Sequence, residues 1–306
     1  LDRDRLGFSL VNIISVTLST HSRDNARRFA ELLAGLPEVQ EAHALTGEMD
    51  YILKVVTPDL KTLSEFVSGA IMYDETIRQA DSTGEALPVA LTRAGIVPGI
   101  KVDTGAKPLA ACPGETVTEG LDGLRDRLQE YWTLGARFAK WRAVIRIGHD
   151  LPSATCLEAN AEALARYAAL CQEQEMVPIV EPEVLMDGGH TLARSEEVTG
   201  KVLDRVFRAL YTHRVSLEGM LLKPSMAISG KTCPEQASVA DVAAATLRVL
   251  RRHVPAAVPG IVFLSGGQDE RRATAHLNAM HAAPDPRPWR VSFSYGGKHP
   301  VLDEFS

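Results

Sequence analysis

The sequence predicts an α/β fold, namely a (β/α)8 barrel of the TIM type that lacks its first strand, preceded by a small α+β module with ferredoxin-like order. The opening segment has short alternating patterns in the order β-α-β-β-α, which is typical of α+β sandwiches. Further along, short apolar runs alternate with amphipathic helical patterns. Such alternation indicates a parallel sheet, and many repeats of it indicate a barrel rather than an open sheet.

The opening module is predicted from three strand patterns and two helix patterns, and we expect it to occupy residues 1–67. Its strands are rich in alternating, β-branched residues, as half-buried strands are. Ser22 can cap the first helix and Pro58 can begin the second. The predicted strands are residues 11–18, 37–45 and 51–56, with a turn at 47–50, and the predicted helices are residues 22–33 and 58–66.

Seven apolar runs follow, and each predicts one strand of a barrel in residues 68–306. A closed barrel of this type has eight strands, so the first strand has no counterpart among the runs. The runs are residues 69–73, 96–102, 138–147, 177–184, 217–222, 260–264 and 291–293, and the helical patterns between them are residues 121–134, 153–173, 196–211 and 236–252.

Composition is that of an ordinary globular protein. The chain has 306 residues, of which 45% are hydrophobic and 24% charged, and this excludes a disordered or collagen-like protein. The net charge of −6 without a basic block argues against a nucleic-acid partner. No apolar run reaches the roughly eighteen residues that span a bilayer, so no membrane partner is expected. The four cysteines form no CxxC pair, which favours a reduced, cytoplasmic protein without a metal.

Charged residues recur at the ends of successive apolar runs. A spacing of two places both members of a pair on one face of a strand, and barrel enzymes have their active sites at the carboxyl ends of the strands. A single lysine there is commonly a surface residue, but so many unpaired charges inside a barrel would be costly. A shared functional site is therefore favoured. Its residues are Lys101 and Asp103, Lys140 and Arg142, Glu181 and Glu183, and Lys223.

These residue types indicate amine chemistry on a phosphorylated carbonyl compound. A lysine such as Lys223, with apolar walls and Lys140 nearby, has a lowered pKa and can attack a carbonyl. Two carboxylates can transfer protons while the carbinolamine loses water. Glycine-rich loops after the last two strands, at residues 265–268 and 295–297, are typical phosphate sites in barrels. No cofactor is predicted.

Seven collinear motifs within residues 68–296 resemble the class I (Schiff-base) fructose-bisphosphate aldolases. The resemblance implies a lyase of glycolysis that cleaves fructose 1,6-bisphosphate reversibly into dihydroxyacetone phosphate and glyceraldehyde 3-phosphate. The motifs are GIKVD (99–103), GLDGL (120–124), FAKWR (138–142), PIVEPE (178–183), LLKP (221–224), FLSGG (263–267) and FSYG (293–296).

The same resemblance implies a role for each candidate site residue. Lys223 forms the Schiff base with the substrate ketone, and Lys140 assists it by charge and hydrogen bonding. Glu181 is the acid/base carboxylate, and Glu183 orients and neutralises the lysines. The positions that bind substrate and phosphate are Lys101, Arg142, Ser265, Gly266 and Gly296.

The opening module resembles the effector-binding domain of the leucine-responsive regulator (Lrp/AsnC) family. That family's domain pairs edge to edge and binds small amino acids, so the resemblance implies a homo-oligomer. A plain hairpin turn at residues 47–50 is the alternative to an amino-acid site there. The motifs are LPEV (36–39), TGEMDY (46–51) and VVTPDL (55–60).

The sequence departs from the aldolase pattern in three respects. The catalytic aspartate of the family's first strand has no counterpart, and Gly297 stands where the family has a phosphate-binding arginine. Only residues 296–306 follow Tyr295, and the chain begins at Leu1, so a partial chain is expected. We therefore expect substrate binding and imine formation but poor cleavage.

Other functions stay open at this point. The alternative is a small-molecule-sensing or assembly protein whose aldolase-like barrel is inactive or impaired. A phosphate-binding isomerase is disfavoured, because it has no need of paired lysines and glutamates around an imine. A metal-dependent aldolase is also disfavoured, because the nine histidines show no paired ligand spacing.

Two residues inside the motifs are interpreted structurally. Trp141 is out of phase with its charged neighbours, so it should pack outward under the helices. Pro182 lies between two glutamates, and since proline is unusual inside a strand we interpret it as the strand's end.

Overall fold

A computed structural model describes residues 10–16, 39–44, 51–57, 69–72, 74–80, 84–93, 96–264, 266–284 and 286–293. Contacts between residues divide the chain into two compact units. The first comprises Leu1–Ile100, Leu134–Ala136 and Ser294–Ser306, and the second comprises Lys101–Thr133 and Arg137–Phe293. The boundary expected between residues 67 and 68 stays a prediction.

The first unit contains a three-stranded antiparallel sheet. Strands β1 (Leu10–Val16), β2 (Val39–Ala44) and β3 (Tyr51–Thr57) lie in the order β1-β3-β2. The register of β2 against β3 shifts between Val39 and Glu41, which marks a bulge. The three strands predicted for the opening module are thereby confirmed to within two residues. The helices predicted at 22–33 and 58–66 and the turn at 47–50 lie outside the described residues.

A second pairing in the first unit is parallel. Strand β4 (Gly69–Met72) is followed by helices α1 (Asp74–Ile77) and α2 (Leu87–Arg93) and pairs with β5 (Val97–Lys101). The parallel register agrees with the strand predicted at residues 69–73, and the assignment of these residues to the barrel rather than to the opening module stays a prediction. The two short helices were not predicted from the sequence.

The second unit begins with a hairpin that the sequence did not predict. Strands β6 (Gly105–Pro108) and β7 (Thr116–Glu119) pair antiparallel and precede helix α3 (Leu124–Thr133). The side chain of Asn160 fixes the hairpin, since its amide accepts from the N–H of Thr118 at 3.3 Å and donates to the carbonyl of Thr116 at 2.8 Å.

A parallel sheet with connecting helices forms the body of the second unit, as predicted. Its strands lie in the order β8-β9-β10-β11-β12, and all four neighbouring pairs are parallel. The strands are β8 (Phe138–Ile145), β9 (Val177–Val184), β10 (Leu221–Leu222), β11 (Gly260–Phe263) and β12 (Arg290–Phe293), and the helices are α4 (Ala154–Glu173), α5 (Leu192–Thr212), α6 (Val239–His253) and α7 (Glu270–Ala282).

The start of each long helix is set by a capping side chain that accepts a hydrogen bond from a backbone N–H three residues on. Helix α5 therefore begins four residues before its predicted start at residue 196, because Thr191 caps it through the N–H of Arg194 at 3.3 Å. The capping residues are Ser153, Thr191, Ser238 and Asp269 for α4 to α7.

Trp141 packs outward from β8 as predicted. Its ring is fully buried and stacks on Tyr167 of α4 with ring centroids 5.6 Å apart. The Tyr167 hydroxyl lies within hydrogen-bond distance of two carbonyls, Ala139 at 2.6 Å and Ile179 at 3.2 Å. One helix side chain thus ties β8 to β9 behind the predicted site.

The interpretation of Pro182 as a strand end is wrong. Strand β9 runs on to Val184, and Pro182 pairs with Ala143 of β8 inside it. The N–H of Lys223 donates to the carbonyl of Val180 at 2.7 Å, so Val180 faces β10. Residue 182 faces the same side, because main-chain groups two residues apart in a parallel ladder point the same way. Regular pairing with β10 has ended at Leu222, so the missing N–H of proline is tolerated.

Candidate functional site

The charged residues predicted for the site lie together at the carboxyl ends of parallel strands. In the register of β8 and β9, Arg142 is level with Glu181. Lys223 follows β10 directly and is hydrogen-bonded to the main chain of β9. Lys101 ends β5, and the N–H of the next residue, Val102, donates to the carbonyl of Lys140 at 3.1 Å.

A single carboxylate joins the two central lysines. Glu181 Oε2 lies 2.9 Å from Lys140 Nζ, and Glu181 Oε1 lies 3.3 Å from Lys223 Nζ. The three side chains are only 4%, 10% and 6% exposed, respectively. We refer to Lys140, Glu181 and Lys223 as the amine cluster. A buried site with two ammonium groups and one carboxylate carries an excess of positive charge, which favours loss of a proton from one amine.

The electrostatics of the amine cluster lower the pKa of Lys223. Burial lowers the pKa of the Lys223 amine most strongly, and the charge of Lys140 lowers it further, although Glu181 opposes both. Burial alone would raise the pKa of the Glu181 carboxyl, but the charges of Lys223 and Lys140 together outweigh it and hold that pKa below its usual value. The arrangement therefore contains an ionised carboxylate beside an amine that gives up its proton readily.

Two further ion pairs flank the amine cluster, and we refer to them as the outer pairs. Lys101 Nζ lies 2.7 Å from Asp103 Oδ1. The Arg142 guanidinium donates through Nε to Glu183 Oε2. The side chains of Arg142 and Lys101 are 43% and 22% exposed, so both cations reach solvent. Exposed cations beside buried carboxylates can bind a substrate phosphate.

Glu183 has a different contact from the one that the resemblance implied, although its charge still acts on Lys223 and raises the pKa of that amine. Its carboxylate contacts Arg142, not a lysine of the amine cluster. The two glutamates of β9 are two residues apart and therefore lie at different heights along the strand. In the register with β8, Glu181 is level with Arg142 and Glu183 with Val144, so Glu183 lies nearer the carboxyl end of the strand.

Asp103 is a site residue whose connecting role the sequence did not reveal. Its Oδ1 accepts from Lys101 Nζ and from the N–H of Gly105 at 3.2 Å, while its Oδ2 accepts from the N–H of Arg142 at 3.2 Å. The carboxylate thereby links the Lys101 ammonium to the main chain of Arg142. The spacing of two from Lys101 was the only signal in the sequence.

The predicted phosphate loop after β11 is described in part. Gly266 and Gly267, which we call the glycine turn, have φ values of +62° and +80°, a region that favours glycine. The next residue, Gln268, is held by His276 of α7, whose Nδ1 lies 2.8 Å from Gln268 Oε1. Ser265 and Gly296 lie outside the described residues, so their predicted phosphate contacts stay predictions.

His276 was missed by the sequence analysis. It is 1% exposed, and burial followed by the charge of Arg272 lowers its pKa. A neutral imidazole can donate from Nδ1 to Gln268, which fixes the residue next to the glycine turn. A histidine inside an ordinary helical pattern gave no signal for this contact.

The described part of the chain has neither a cluster of metal ligands nor a membrane-spanning helix. There, no group of three or more His, Cys, Asp or Glu residues is arranged to hold a metal ion. None of the helices that the structure describes combines the length and the apolar character that crossing a membrane requires.

Family models match both parts of the chain. The model described as Fructose-bisphosphate aldolase class-I matches residues 52–299, and the model of the Lrp/AsnC ligand binding domain matches residues 12–83. The two matches overlap, so they do not decide where the opening module ends. Both resemblances stated from the sequence motifs are confirmed.

Known relatives and solved structures agree with these matches. A probable fructose-bisphosphate aldolase class 1 of Xanthomonas axonopodis pv. citri is 56% identical over 93% of this chain and 81% of its own length. Fructose-bisphosphate aldolase B of Gallus gallus is 51% identical over 77% of this chain and 65% of its own length. The structure of a Plasmodium falciparum fructose-bisphosphate aldolase, in complex with TRAP and an inhibitor, aligns with a TM-score of 0.73 and 46% identity over 76% of this chain and 67% of that chain.

These findings settle the fold class and the family. The alignment to a solved aldolase confirms the predicted α/β barrel, and the aldolase family model covers well over half of the chain. The relative from Xanthomonas exceeds half identity over most of both chains. The chain, with its lysines and carboxylates gathered at the strand ends, belongs to the class I fructose-bisphosphate aldolase family of lyases.

Proposed function

We propose that this chain cleaves fructose 1,6-bisphosphate reversibly into dihydroxyacetone phosphate and glyceraldehyde 3-phosphate, with Lys223 as the Schiff-base amine. The observation that carries the proposal is the amine cluster, in which Glu181 lies between Lys223 and Lys140 in a buried setting. Such a site supplies a neutral amine and a proton-transferring carboxylate within contact of each other.

Imine formation is the first step. Neutral Lys223 attacks the C2 carbonyl carbon of the ketose, the oxygen takes up a proton, and a carbinolamine results. Glu181 is positioned to relay a proton to the leaving hydroxyl, so that water departs and a protonated imine forms. Lys140, 2.9 Å from Glu181, supplies the nearby positive charge that keeps this carboxylate ionised between transfers.

Carbon–carbon cleavage follows from the protonated imine. A base removes the proton of the C4 hydroxyl, the C3–C4 bond breaks, and its electron pair moves toward the imine nitrogen as an enamine. Glyceraldehyde 3-phosphate leaves. Protonation of the enamine at C3 and hydrolysis of the imine then release dihydroxyacetone phosphate and return Lys223. Glu181 is the proposed acid and base of these steps.

The two phosphates would bind at opposite sides of the amine cluster. Lys101 and Arg142 are the cations proposed for the end that becomes glyceraldehyde 3-phosphate, because they line the β5–β8 side. Ser265, Gly266 and Gly296 are proposed for the other phosphate. Main-chain N–H groups at a glycine turn are well suited to phosphate oxygens.

Reductive trapping tests the assignment of Lys223. Incubation with dihydroxyacetone phosphate and borohydride should label Lys223 alone, and Lys223→Met should abolish the label with secondary structure unchanged. Lys201→Met is the matched control, because Lys201 is a 53% exposed lysine of α5 that pairs with Glu197. A label on Lys140 or Lys101 with Lys223 unmodified would overturn the assignment.

A coupled assay on the whole chain tests the expected weakness of cleavage. Because the first-strand aspartate has no counterpart in the sequence, we expect trapping without a turnover number in the usual enzyme range of about one to a thousand per second. A turnover number within that range would show that expectation to be wrong and would leave the Lys223 assignment standing.

We further infer that residues 1–67 form a regulator-type module, residues 68–306 the aldolase barrel, and that the chain is a cytoplasmic homo-oligomer. The antiparallel order β1-β3-β2 and the match to the Lrp/AsnC ligand binding domain support a separate module. The four cysteines are free, which fits a reducing compartment. Limited proteolysis near residue 67 and light scattering on the whole chain test the division and the oligomer.

A further inference from the structure

Lys231 lies where three strand-end loops meet at the rim of the site. Its N–H donates to the carbonyl of Met186 at 2.8 Å, in the loop that follows β9. On either side, the N–H of Gly230 donates to His190 at 2.8 Å and the N–H of Thr232 donates to Gly188 at 3.0 Å. Three consecutive main-chain bonds therefore fix the backbone of Lys231 against the neighbouring loop.

Gly230 shows how closely these two loops approach. A Cβ atom built on Gly230 would lie 2.2 Å from the carbonyl oxygen of Gly188, a distance that no side chain can occupy. The loop therefore needs glycine at this position, and the Cα of Lys231 is held at one place on the rim. Only the side chain of Lys231 is left with freedom to move.

The ammonium group of Lys231 lies over the glycine turn. Its Nζ is 3.2 Å from the point where a Cβ on Gly267 would stand. The same Nζ lies 3.0 Å from Asp187 Oδ1, and the two side chains are 47% and 53% exposed. An exposed ion pair of this kind contributes little to stability and exchanges its partner easily.

The position of the amine cluster determines which substrate group reaches this turn. An imine on Lys223 involves C2 of the ketose, so the phosphate on the adjacent C1 lies only a few bonds away. Strand β11 is the neighbour of β10, with Leu222 paired to Ile261, and the glycine turn follows β11. The phosphate that C1 carries is therefore placed beside the glycine turn and beneath the ammonium of Lys231.

We propose that Lys231 is a further phosphate-binding residue, which leaves Asp187 and closes on the C1 phosphate of the ketose at the glycine turn. This inference rests on the proposed imine at Lys223. A phosphate group offers Lys231 about two negative charges and several acceptor oxygens, whereas Asp187 offers one charge on a half-exposed side chain. Exchange of the partner is thus favoured when substrate is bound.

Trapping at increasing concentrations of dihydroxyacetone phosphate tests this proposal. Lys231→Met should raise the half-saturating concentration about five- to tenfold, in keeping with the loss of one charge-assisted contact at a half-exposed position. Trapping of unphosphorylated dihydroxyacetone should be the same in Lys231→Met and the wild type, because that ketone has no group for Lys231 to bind.

Two control variants separate binding from a structural role. Asp187→Asn should leave the half-saturating concentration within about twofold, since Asp187 only competes with the phosphate. Lys201→Met removes an equally exposed, ion-paired lysine elsewhere and should have no effect. If Asp187→Asn weakened binding as much as Lys231→Met, the ion pair would merely order the rim and the proposal would be overturned.

Calorimetric titration with inorganic phosphate distinguishes failure of this proposal from failure of the proposed function. The wild type should bind phosphate several-fold more tightly than Lys231→Met does. If Lys223 is never trapped but phosphate binding still depends on Lys231, the proposed function fails and the phosphate site stands. Equal phosphate binding by the two proteins would overturn the site whatever the trapping shows.

Discussion

The amine cluster and the outer pairs are built from the same residue types but differ in burial. In the amine cluster one carboxylate serves two lysines, and no member is more than 10% exposed. In the outer pairs each cation has its own buried carboxylate and itself reaches solvent, as Arg142 does at 43%. Excess positive charge in a dry setting promotes loss of a proton, whereas paired cations at a wet edge keep their charge. We infer that the first arrangement is suited to chemistry and the second to holding an anion.

The largest effect should come from Glu181→Gln, which removes the only carboxylate of the amine cluster. The two buried lysines would then lose the carboxylate that both of them contact, and the proton relay would be lost. We expect the rate of imine formation to fall about a thousandfold, within the range for loss of an acid/base group. Stopped-flow or quenched trapping with dihydroxyacetone phosphate measures it.

Glu183→Gln is the matched control for this prediction. It removes a carboxylate from the same strand, but one that contacts Arg142 of the outer pairs. We expect weaker substrate binding and a much smaller change in the rate of imine formation. Equal losses in the two variants would erase the distinction between the amine cluster and the outer pairs.

A second, smaller effect is expected from Lys140→Met, and it concerns pH. The charge of Lys140 contributes to the lowered pKa of Lys223, second to burial among the effects that lower it. Without that charge the pKa of Lys223 rises, so a smaller fraction of the amine is neutral at a given pH. The pH profile of trapping should therefore move to higher pH, with a loss of about a hundredfold at neutral pH.

Lys101→Met provides the comparison for the pH profile. Lys101 pairs with Asp103 and does not contact the amine cluster's carboxylate. The trapping profile of this variant should keep its position on the pH axis. A shift as large as that of Lys140→Met would mean that the charges of the outer pairs influence the pKa of Lys223 as strongly as those of the amine cluster do.

Arg142→Lys should change binding more than chemistry. The guanidinium offers a planar fork of donors that lysine cannot reproduce, so contact with a phosphate is weakened. We expect KM for fructose 1,6-bisphosphate to rise about tenfold, with kcat within about threefold of the wild type. Steady-state kinetics with fructose 1-phosphate, which lacks the second phosphate, should show a smaller change in KM. A loss confined to kcat would contradict the assignment of Arg142 to binding.

The smallest effect is expected from His276→Asn, and it concerns the thermal stability of the protein. His276 holds Gln268, the residue next to the glycine turn. The lowered pKa of buried His276 means that the folded protein favours its neutral form. This contribution to stability is complete above the unfolded value of about 6.5 and is lost as pH falls below it toward the folded value. The melting temperature of the wild type should therefore drop more steeply than that of His276→Asn on acidification below about pH 6.5. Parallel melting curves would contradict this contribution.

The site residues at the strand ends could be predicted because two signals agree there: the spacing of two along each strand and the charged residue types. Lys140, Glu181 and Lys223 follow apolar runs at spacings that place them on one face, and their contacts agree with that. The partner of Glu183 was not predictable, since strand spacing gives the face but not the height of a side chain on a neighbouring strand. The roles of Lys231 and His276 were missed for a different reason. Their contacts depend on which loops lie next to each other in the fold, and a local sequence pattern does not indicate this.

Elements were predicted best where they are long and periodic. Helices α4 and α6 lie close to their predicted limits, and β9 matches its run of residues 177–184. The β6–β7 hairpin was missed because each of its strands is only four residues long and β6 is largely exposed, so neither strand shows an apolar run. The prediction for Pro182 was wrong because it assumed that every N–H of a central strand is needed for pairing. The regular pairing of β9 with β10 has already ended before residue 182, so its N–H is not needed there.

Pro182 has a mechanical consequence for the rim. In a regular parallel ladder the N–H of residue 182 would donate to the carbonyl of Lys223, one step beyond the bond from Lys223 to Val180. Proline makes that bond impossible, so residue 182 gives no main-chain bond to the segment that carries Lys223, and the next contact along β9 is the Ser225 hydroxyl, which donates to the carbonyl of Val184 at 2.8 Å. The segment that carries Lys223 is therefore held to β9 by a main-chain bond on one side of Pro182 and by a side-chain hydroxyl on the other, while Tyr167 bridges β8 and β9 behind the site.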